Sequence, residues 1–394
     1  MFLKKILIIV FLVFFIKCFS YIKWDETLGG QLQSIIAVLM LLWFLVKYKS
    51  FNNVEPTFKR MVLFFALYPI VGFFFSYVFH NQNFTSSLLS SAFNFFYLFF
   101  FVLEFLDVQE KDLVRIFFIL GIAWVLISVI QQFTYPTYLF GAQETEKKII
   151  EVRNNIYRFR MDGRQYVIPM LFYSFVEYIS SRKKIYLLFL SIGLVGVYLT
   201  VTRQVIFTVI ICMLYGTYFL RKHVYNIKYI IIFSVILFLL NFDLLFGNMI
   251  EQTDNDLNED YIRFACYNFY GFEYNKNNLF VCLFGNGLPS LKSAYGLEIY
   301  QISRSQHFFQ ADIGIVGIYS WFGIIYVCYV ISFFIYIYKN RSFLDLYLKM
   351  YVLYMAFTSV MLWHFTFNAG IVTSQTCIFY LIYKSIERNK YGRI

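Results

Sequence analysis

The residues of this chain whose types and spacing suit chemistry are few, and they are mostly arginines with one histidine. Arg203 stands in Leu199-Thr200-Val201-Thr202-Arg203-Gln204. Arg158, Arg160 and Arg164 stand in Tyr157-Arg158-Phe159-Arg160-Met161-Asp162-Gly163-Arg164, and Arg304 and His307 in Ser303-Arg304-Ser305-Gln306-His307. A guanidinium is a planar fork that grips phosphate oxygens bidentately. An imidazole, with an unperturbed pKa of roughly 6.5, takes up and returns a proton near neutrality. Together they suit holding a pyrophosphate and deprotonating a hydroxyl. Each also has a plainer reading. Arg203 can snorkel to ordinary phospholipid phosphates, the trio can be a solvated basic loop beside the Asp162-Gly163 turn, and His307 can be a satisfied structural histidine. Glu177 is a candidate partner for one of the trio or for Arg182. His364, in Trp363-His364-Phe365, is a second histidine candidate, while His80 and His223 are read as loop residues without a chemical role.

The elements that must position these groups are membrane helices. The chain is 60% hydrophobic and 14% charged, with 51 Phe and 34 Tyr among 394 residues. Its mean hydropathy is +0.63. A soluble domain is far less apolar. Apolar runs of spanning length recur at 5–22, 29–46, 61–79, 86–106, 114–133, 166–181, 185–201, 204–220, 228–246, 311–337, 345–366 and 368–383. The fold expected is therefore all-α, a polytopic bundle of about twelve transmembrane helices forming one integral domain over 1–394. Lys4-Lys5 before an apolar run resembles a signal peptide, but no small-x-small cleavage site follows, so a retained first span is expected. There is no internal repeat, low-complexity tract or nucleotide-binding glycine motif, and Asn83-Phe84-Thr85 carries no weight as a glycosylation triplet.

The formal charge of +11 does not point to nucleic acid, because most of the 34 lysines and arginines fall in short loops on one side of the predicted topology. That asymmetry puts both termini in the cytoplasm. The remaining basic residues sit mainly in two long outer loops, 134–165 and 247–310, and in the Arg203 turn. The loop at 247–310 has an acidic start and is rich in aromatics (Tyr267, Phe269, Tyr270, Phe272, Tyr274). A disordered segment lacks such residues, so a folded cap on the outer membrane surface is expected. An oxidising compartment would allow a disulfide between Cys266 and Cys282. No metal-ligand spacing occurs. If residues 303–314 continue as helix, His307 shares a face with Arg304 and Gly314, and Gly314 with Gly317 forms a small-residue stripe that admits a close neighbour.

Three places carry a resemblance. Thr200-Val201-Thr202-Arg203 is similar to a Thr-x-Ser-Arg turn, and Leu283-Phe284-Gly285-Asn286-Gly287 to a Gly-x-Gly entry into a late loop. His307 with Asp312-Ile313-Gly314-Ile315-Val316-Gly317 is similar to a histidine before an acid-x-Gly-x-x-Gly helix start. Arg160-Met161-Asp162-Gly163 also resembles a periplasmic Arg-x-x-Gly element. In these, and in topology, the chain resembles the Wzy-type O-antigen polymerase and O-antigen ligase superfamily of bacterial inner-membrane glycosyltransferases. Thr202 in place of serine and Asp312 in place of glutamate depart from the pattern.

The resemblance implies a large periplasmic loop between the ninth and tenth spans. It also implies metal-independent and cofactor-free transfer of sugar from an undecaprenyl-pyrophosphate-linked oligosaccharide. Arg203 and Arg160 would bind the donor pyrophosphate, with Arg158, Arg164 and Arg304 beside them, and His307 would deprotonate the acceptor. Membrane lipids, a flippase and a chain-length regulator are the partners implied. Polymerase and ligase are not separated by these motifs. A lipid-linked oligosaccharide flippase, which would carry its charges at mid-membrane and often show repeated halves, is the non-enzyme alternative.

Overall fold

A computed structural model describes residues 2–15, 21, 26–141, 151–153, 156–159, 161–220, 262–275, 278–366 and 368–392. Arg160, the expected span at 228–246 and the acidic start of the long loop lie outside the described residues. The helices are α1 (Phe2–Phe15), α2 (Glu26–Lys47), α3 (Pro56–Leu67), α4 (Pro69–His80), α5 (Phe84–Ser91), α6 (Phe99–Phe105), α7 (Glu110–Thr134), α8 (Val167–Ser181), α9 (Lys184–Leu199), α10 (Arg203–Leu220), α11 (Leu279–Phe284), α12 (Ala294–Ser305), α13 (Gly314–Lys339), α14 (Leu346–Thr358) and α15 (Ala369–Tyr391).

Six helical stretches among the described residues are long and apolar enough to cross a membrane: Leu32–Phe51, Pro56–His80, Phe84–Phe105, Glu110–Thr134, Arg203–Leu220 and Gly314–Lys339. The protein is a helical membrane protein. In hydrocarbon each backbone polar group must find an internal partner, and a helix supplies one within its own segment. Helix starts are capped as their sequences suggest. Glu55 accepts from the Phe58 amide ahead of Pro56, Asn83 accepts from Ser86, and Asn368 from Ile371.

The core is aromatic. Phe65, Tyr97, Phe333, Phe365 and Phe379 meet ring to ring, and α15 is buried along Cys377–Tyr383. Its axis is the 3-10 segment Ala92–Leu98 between α5 and α6. There Tyr97 donates to the Phe365 carbonyl and Thr376 to that of Phe96. Both ends of the described chain reach the same region. Lys4 donates to the Leu106 carbonyl, while Lys384 pairs with Glu104 and Arg388 with Glu110. This is the terminal end of the bundle, and the opposite one is the distal end.

In the loop before α8, Glu151–Arg153 and Ile156–Arg158 form a two-stranded antiparallel ribbon, and the fold is otherwise helical among the described residues. Three expectations need correction. The helix expected through 303–314 stops at Ser305, and His307 takes a left-handed backbone (φ 56°). The cause is Gln310. Its amide turns inward to donate to Ser320 and accept from Trp321, which pulls the chain off the helix axis. The span expected at 345–366 is helical only to Thr358, because the next carbonyls serve other elements. Ser359 accepts from the Ile315 amide and Val360 from the Tyr267 hydroxyl. Cys266 and Cys282 are both free thiols, bonded instead to the carbonyls of Phe309 and Asn275.

Candidate functional site

The distal end is assembled around Gly285-Asn286-Gly287. Helix α13 is interrupted at Gly323 (φ 70°, ψ −178°), so two carbonyls of the preceding turn lose their usual amide donors. The loop supplies the replacements: Asn286 N donates to Ser320 O (3.2 Å) and Gly287 N to Trp321 O (2.8 Å). The approach leaves no room for side chains. A Cβ on Gly285 would lie 2.1 Å from Trp321 O, and one on Gly323 2.3 Å from Leu283 O.

The Asn286 side chain is buried and fully used. It donates to Asn275 and to the Ser320 carbonyl, and accepts from His80 Nε2 at 2.8 Å. His80 in turn stacks on Tyr295. Gln82, also buried, holds the Leu288 carbonyl, the Ser290 amide and the Ser87 and Ser293 hydroxyls. These neutral amides and hydroxyls fix the loop and α12 against α4 and α5. Cys266, Tyr270, Tyr295, Ile299 and Ile313 close a small second core beneath them. Burial there pushes the Cys266 thiol up to about 12, and the Tyr274 hydroxyl upward as well.

Beside this scaffold lies a groove of about 280 Å³, lined by Pro289, Leu291, Ile299, Tyr300, Phe308, Phe309, Gln310, Trp321 and Trp363. Trp321 and Trp363 meet edge to face at 4.2 Å. Ser303 also lines the groove, and Arg304 and His307 are the chain neighbours of Ser303 and Phe308 in that lining. Both are exposed. Arg304 turns back onto Tyr300 of its own helix, donating to the hydroxyl at 3.1 Å. The His307 ring makes no hydrogen bond among the described residues.

Residues 357–364, the end of α14 and the connection after it, are approached by elements that carry some of the expected site residues. Arg203 starts α10 after a turn whose Val201 is left-handed (φ 46°) and buried, an outlier for a β-branched residue. The neighbouring Gln204 donates to Phe357 O. Arg164, exposed after the left-handed Gly163, lies within electrostatic reach of Tyr354 and His364. The His307 segment reaches the same connection through α13, whose first turn lies against Ser359 and Val360; a Cβ on Gly314 would meet their carbonyl oxygens. Gly317 faces the Gln310 carbonyl and Trp363, so the stripe does admit close neighbours. Arg158 stands in the ribbon with Glu151 opposite in register. The structure thus places Arg164 within electrostatic reach of His364, and the Arg203 turn and the start of α13 against the same connection, but it does not join Arg304 to His307 by a hydrogen bond.

The sequence reading overlooked Asn286, Gln82 and Gln310 as the groups that hold this end together. Their signal was present: amides in apolar surroundings have to be satisfied by something nearby. No family model, no curated protein and no solved structure matches the chain.

Proposed function

We propose that the protein is a polyprenyl-pyrophosphate-dependent glycosyltransferase of the O-antigen polymerase kind. It would join undecaprenyl-pyrophosphate-linked repeat units into O-antigen or a capsular or exopolysaccharide. In this reading the chain spans the bacterial inner membrane about twelve times, with the terminal end cytoplasmic. The distal end, with the cap at 247–310, is periplasmic. Arg203, Arg164, Arg158 and Arg160 bind the donor pyrophosphate, and fixed positive charge stabilises it as it departs. Arg304 serves the mouth of the groove, whose aromatic walls suit the apolar faces of sugars. A histidine of this end takes the acceptor proton, and the resemblance assigns that role to His307.

The observation that carries the reading is the approach of separate elements to residues 357–364. The Arg203 turn and the start of α13 lie against that connection, with Arg164 within electrostatic reach of His364, beside a groove walled by two tryptophans. The test is deletion of the protein in its native cells, followed by gel analysis of surface polysaccharide. Loss of the long ladder with retention of single-repeat species is expected, and Arg203→Ala should reproduce it. Loss of all attached glycan, with lipid-linked polymer accumulating, would assign the ligase reaction instead. An unchanged ladder in the deletion would remove the enzyme reading.

A further inference from the structure

Two of the long apolar stretches stand side by side. Phe58 meets Tyr336, Phe64 stacks on Tyr329 at 3.6 Å and Tyr68 meets Tyr326, so Pro56–His80 and Gly314–Lys339 run antiparallel in one register that sets His80 level with Gly314. The Gly285-Asn286-Gly287 loop docks well inside those two ends. On α4, Ser76 Oγ donates to Asn286 O at 2.7 Å, Phe75 stacks on Phe284, and a Cβ on Gly72 would lie 3.0 Å from Gly287 Cα. On α13, the loop and the end of α11 meet Ser320, Trp321 and Gly323. At a rise of about 1.5 Å per residue, these positions lie about 6–13 Å below His80 and Gly314. The two stretches have 25 and 26 residues. A hydrocarbon core of about 30 Å takes roughly 20, which leaves only about 4 Å of each helix end beyond it. The docking level is therefore beneath the headgroup boundary.

Buried and exposed groups are sorted as that depth requires. Irregular backbone is tolerated in hydrocarbon only where protein covers it, and Gly285, Asn286, Gly287 and Leu288 are all buried. Asn278 caps α11 by accepting from the amides of Phe280 and Val281, and the Cys282 thiol donates to the Asn275 carbonyl. The side chains exposed at the start of α11 are apolar: Leu279 is 72% exposed and Phe280 59%. On a loop in water such a patch is unfavourable. Here it continues the exposed apolar faces of the helices that α11 packs against, Phe74 and Val78 on α4 and Ile324 on α13.

We infer that α11 and Gly285-Asn286-Gly287 form a re-entrant hairpin seated in the hydrocarbon of the distal leaflet, with Leu279 and Phe280 in contact with lipid chains. Part of the loop expected on the membrane surface thus dips below it. The contact is independent of the reaction the protein carries out.

The test uses the full-length protein in vesicles of phosphatidylethanolamine and phosphatidylglycerol. The photoreactive p-benzoylphenylalanine replaces Phe280 in one sample and Gln301, exposed on α12, in another. After irradiation, peptide mass analysis should find phospholipid attached at 280 well in excess of 301. Phe280→Asp and Phe280→Leu give a second measure. In water an aspartate in the first turn of a helix is neutral or favourable. In hydrocarbon a carboxylate is costly, so about tenfold less folded protein is expected from Phe280→Asp, with Phe280→Leu at the native yield. Phe280→Asp at the native yield, or lipid adducts at 280 no more abundant than at 301, overturns the placement of the hairpin. Adducts joining 280 to a second copy of the chain overturn it too, and assign this face to a subunit contact.

Discussion

The two ends of the bundle are held by different chemistry. At the terminal end, charge is closed pair by pair. Lys384 lies 2.9 Å from Glu104 and 3.1 Å from Glu387, and Arg388 bridges Glu110 and Asp345 at 2.8 and 2.6 Å. At the distal end the elements are joined by neutral groups, Asn286, Gln82, Gln310 and serine hydroxyls, while Arg164 and Arg304 stay exposed. A partly desolvated cation needs a carboxylate to offset its lost hydration. An exposed arginine has no such need, and remains available to an anion from outside. Cations at the terminal end are therefore closed into ion pairs, and in the proposed reading those at the distal end serve binding.

The sharpest way to break this comparison is to disturb the neutral scaffold. Gly285→Ala or Gly323→Ala would drive a Cβ into a backbone carbonyl at 2.1 or 2.3 Å and strain a left-handed residue. We expect a cost of about 3 kcal/mol or more and loss of folded protein from the membrane, measured by detergent-extracted yield and thermal unfolding. Arg388→Ala removes one guanidinium from two carboxylates that are each 20–30% exposed. We expect a cost of about 2 kcal/mol, and its partial recovery when Glu110→Gln is added, because the unpaired charge is then gone. Asn286→Ala deprives His80, Asn275 and Ser320 of a common partner. A cost of about 1–2 kcal/mol is expected, seen as a lowered Tm.

Burial of Cys266 tests the second core. Its thiol rises from an ordinary 9.0 to about 12, so the folded state holds that proton more tightly than the unfolded chain. The corresponding stability is present below pH 9 and is lost as pH rises towards 12. Maleimide should label the half-buried Cys282 faster than Cys266 in native membranes at pH 7, and both equally after denaturation. Faster labelling of Cys266 would mean that this core is open.

What the sequence made legible was local. Apolar length and basic loops gave the helices and their common terminal end, and the Gly-Asn-Gly run entered only through a resemblance. It could not announce where its backbone docks, because the broken helix receiving it lies some 35 residues on, at Gly323. The same reason explains His307. A helix through 303–314 satisfied every local rule, and it failed because Gln310 bonds to Ser320 and Trp321. Thr358 likewise ends α14 early because later carbonyls are claimed by Ile315 and Tyr267. Of the site, the arginines were legible by type. The approach of the Arg203 turn to 357–364 was not, since no residue there shares a motif with it.

Arg304→Ala is the mildest of these changes and separates the two ends most cleanly. The side chain is exposed and its hydrogen bond goes only to Tyr300 of its own helix, so removing it should change stability by less than about 0.5 kcal/mol. If it serves an incoming anion at the groove mouth, elongation by membranes should fall by about tenfold, the loss of one charge-assisted hydrogen bond. Arg388→Ala should do the reverse, lowering Tm while the activity per folded molecule holds. A variant of Arg304 that unfolds the protein, or one of Arg388 that stops elongation at unchanged Tm, would erase the division of labour between the ends.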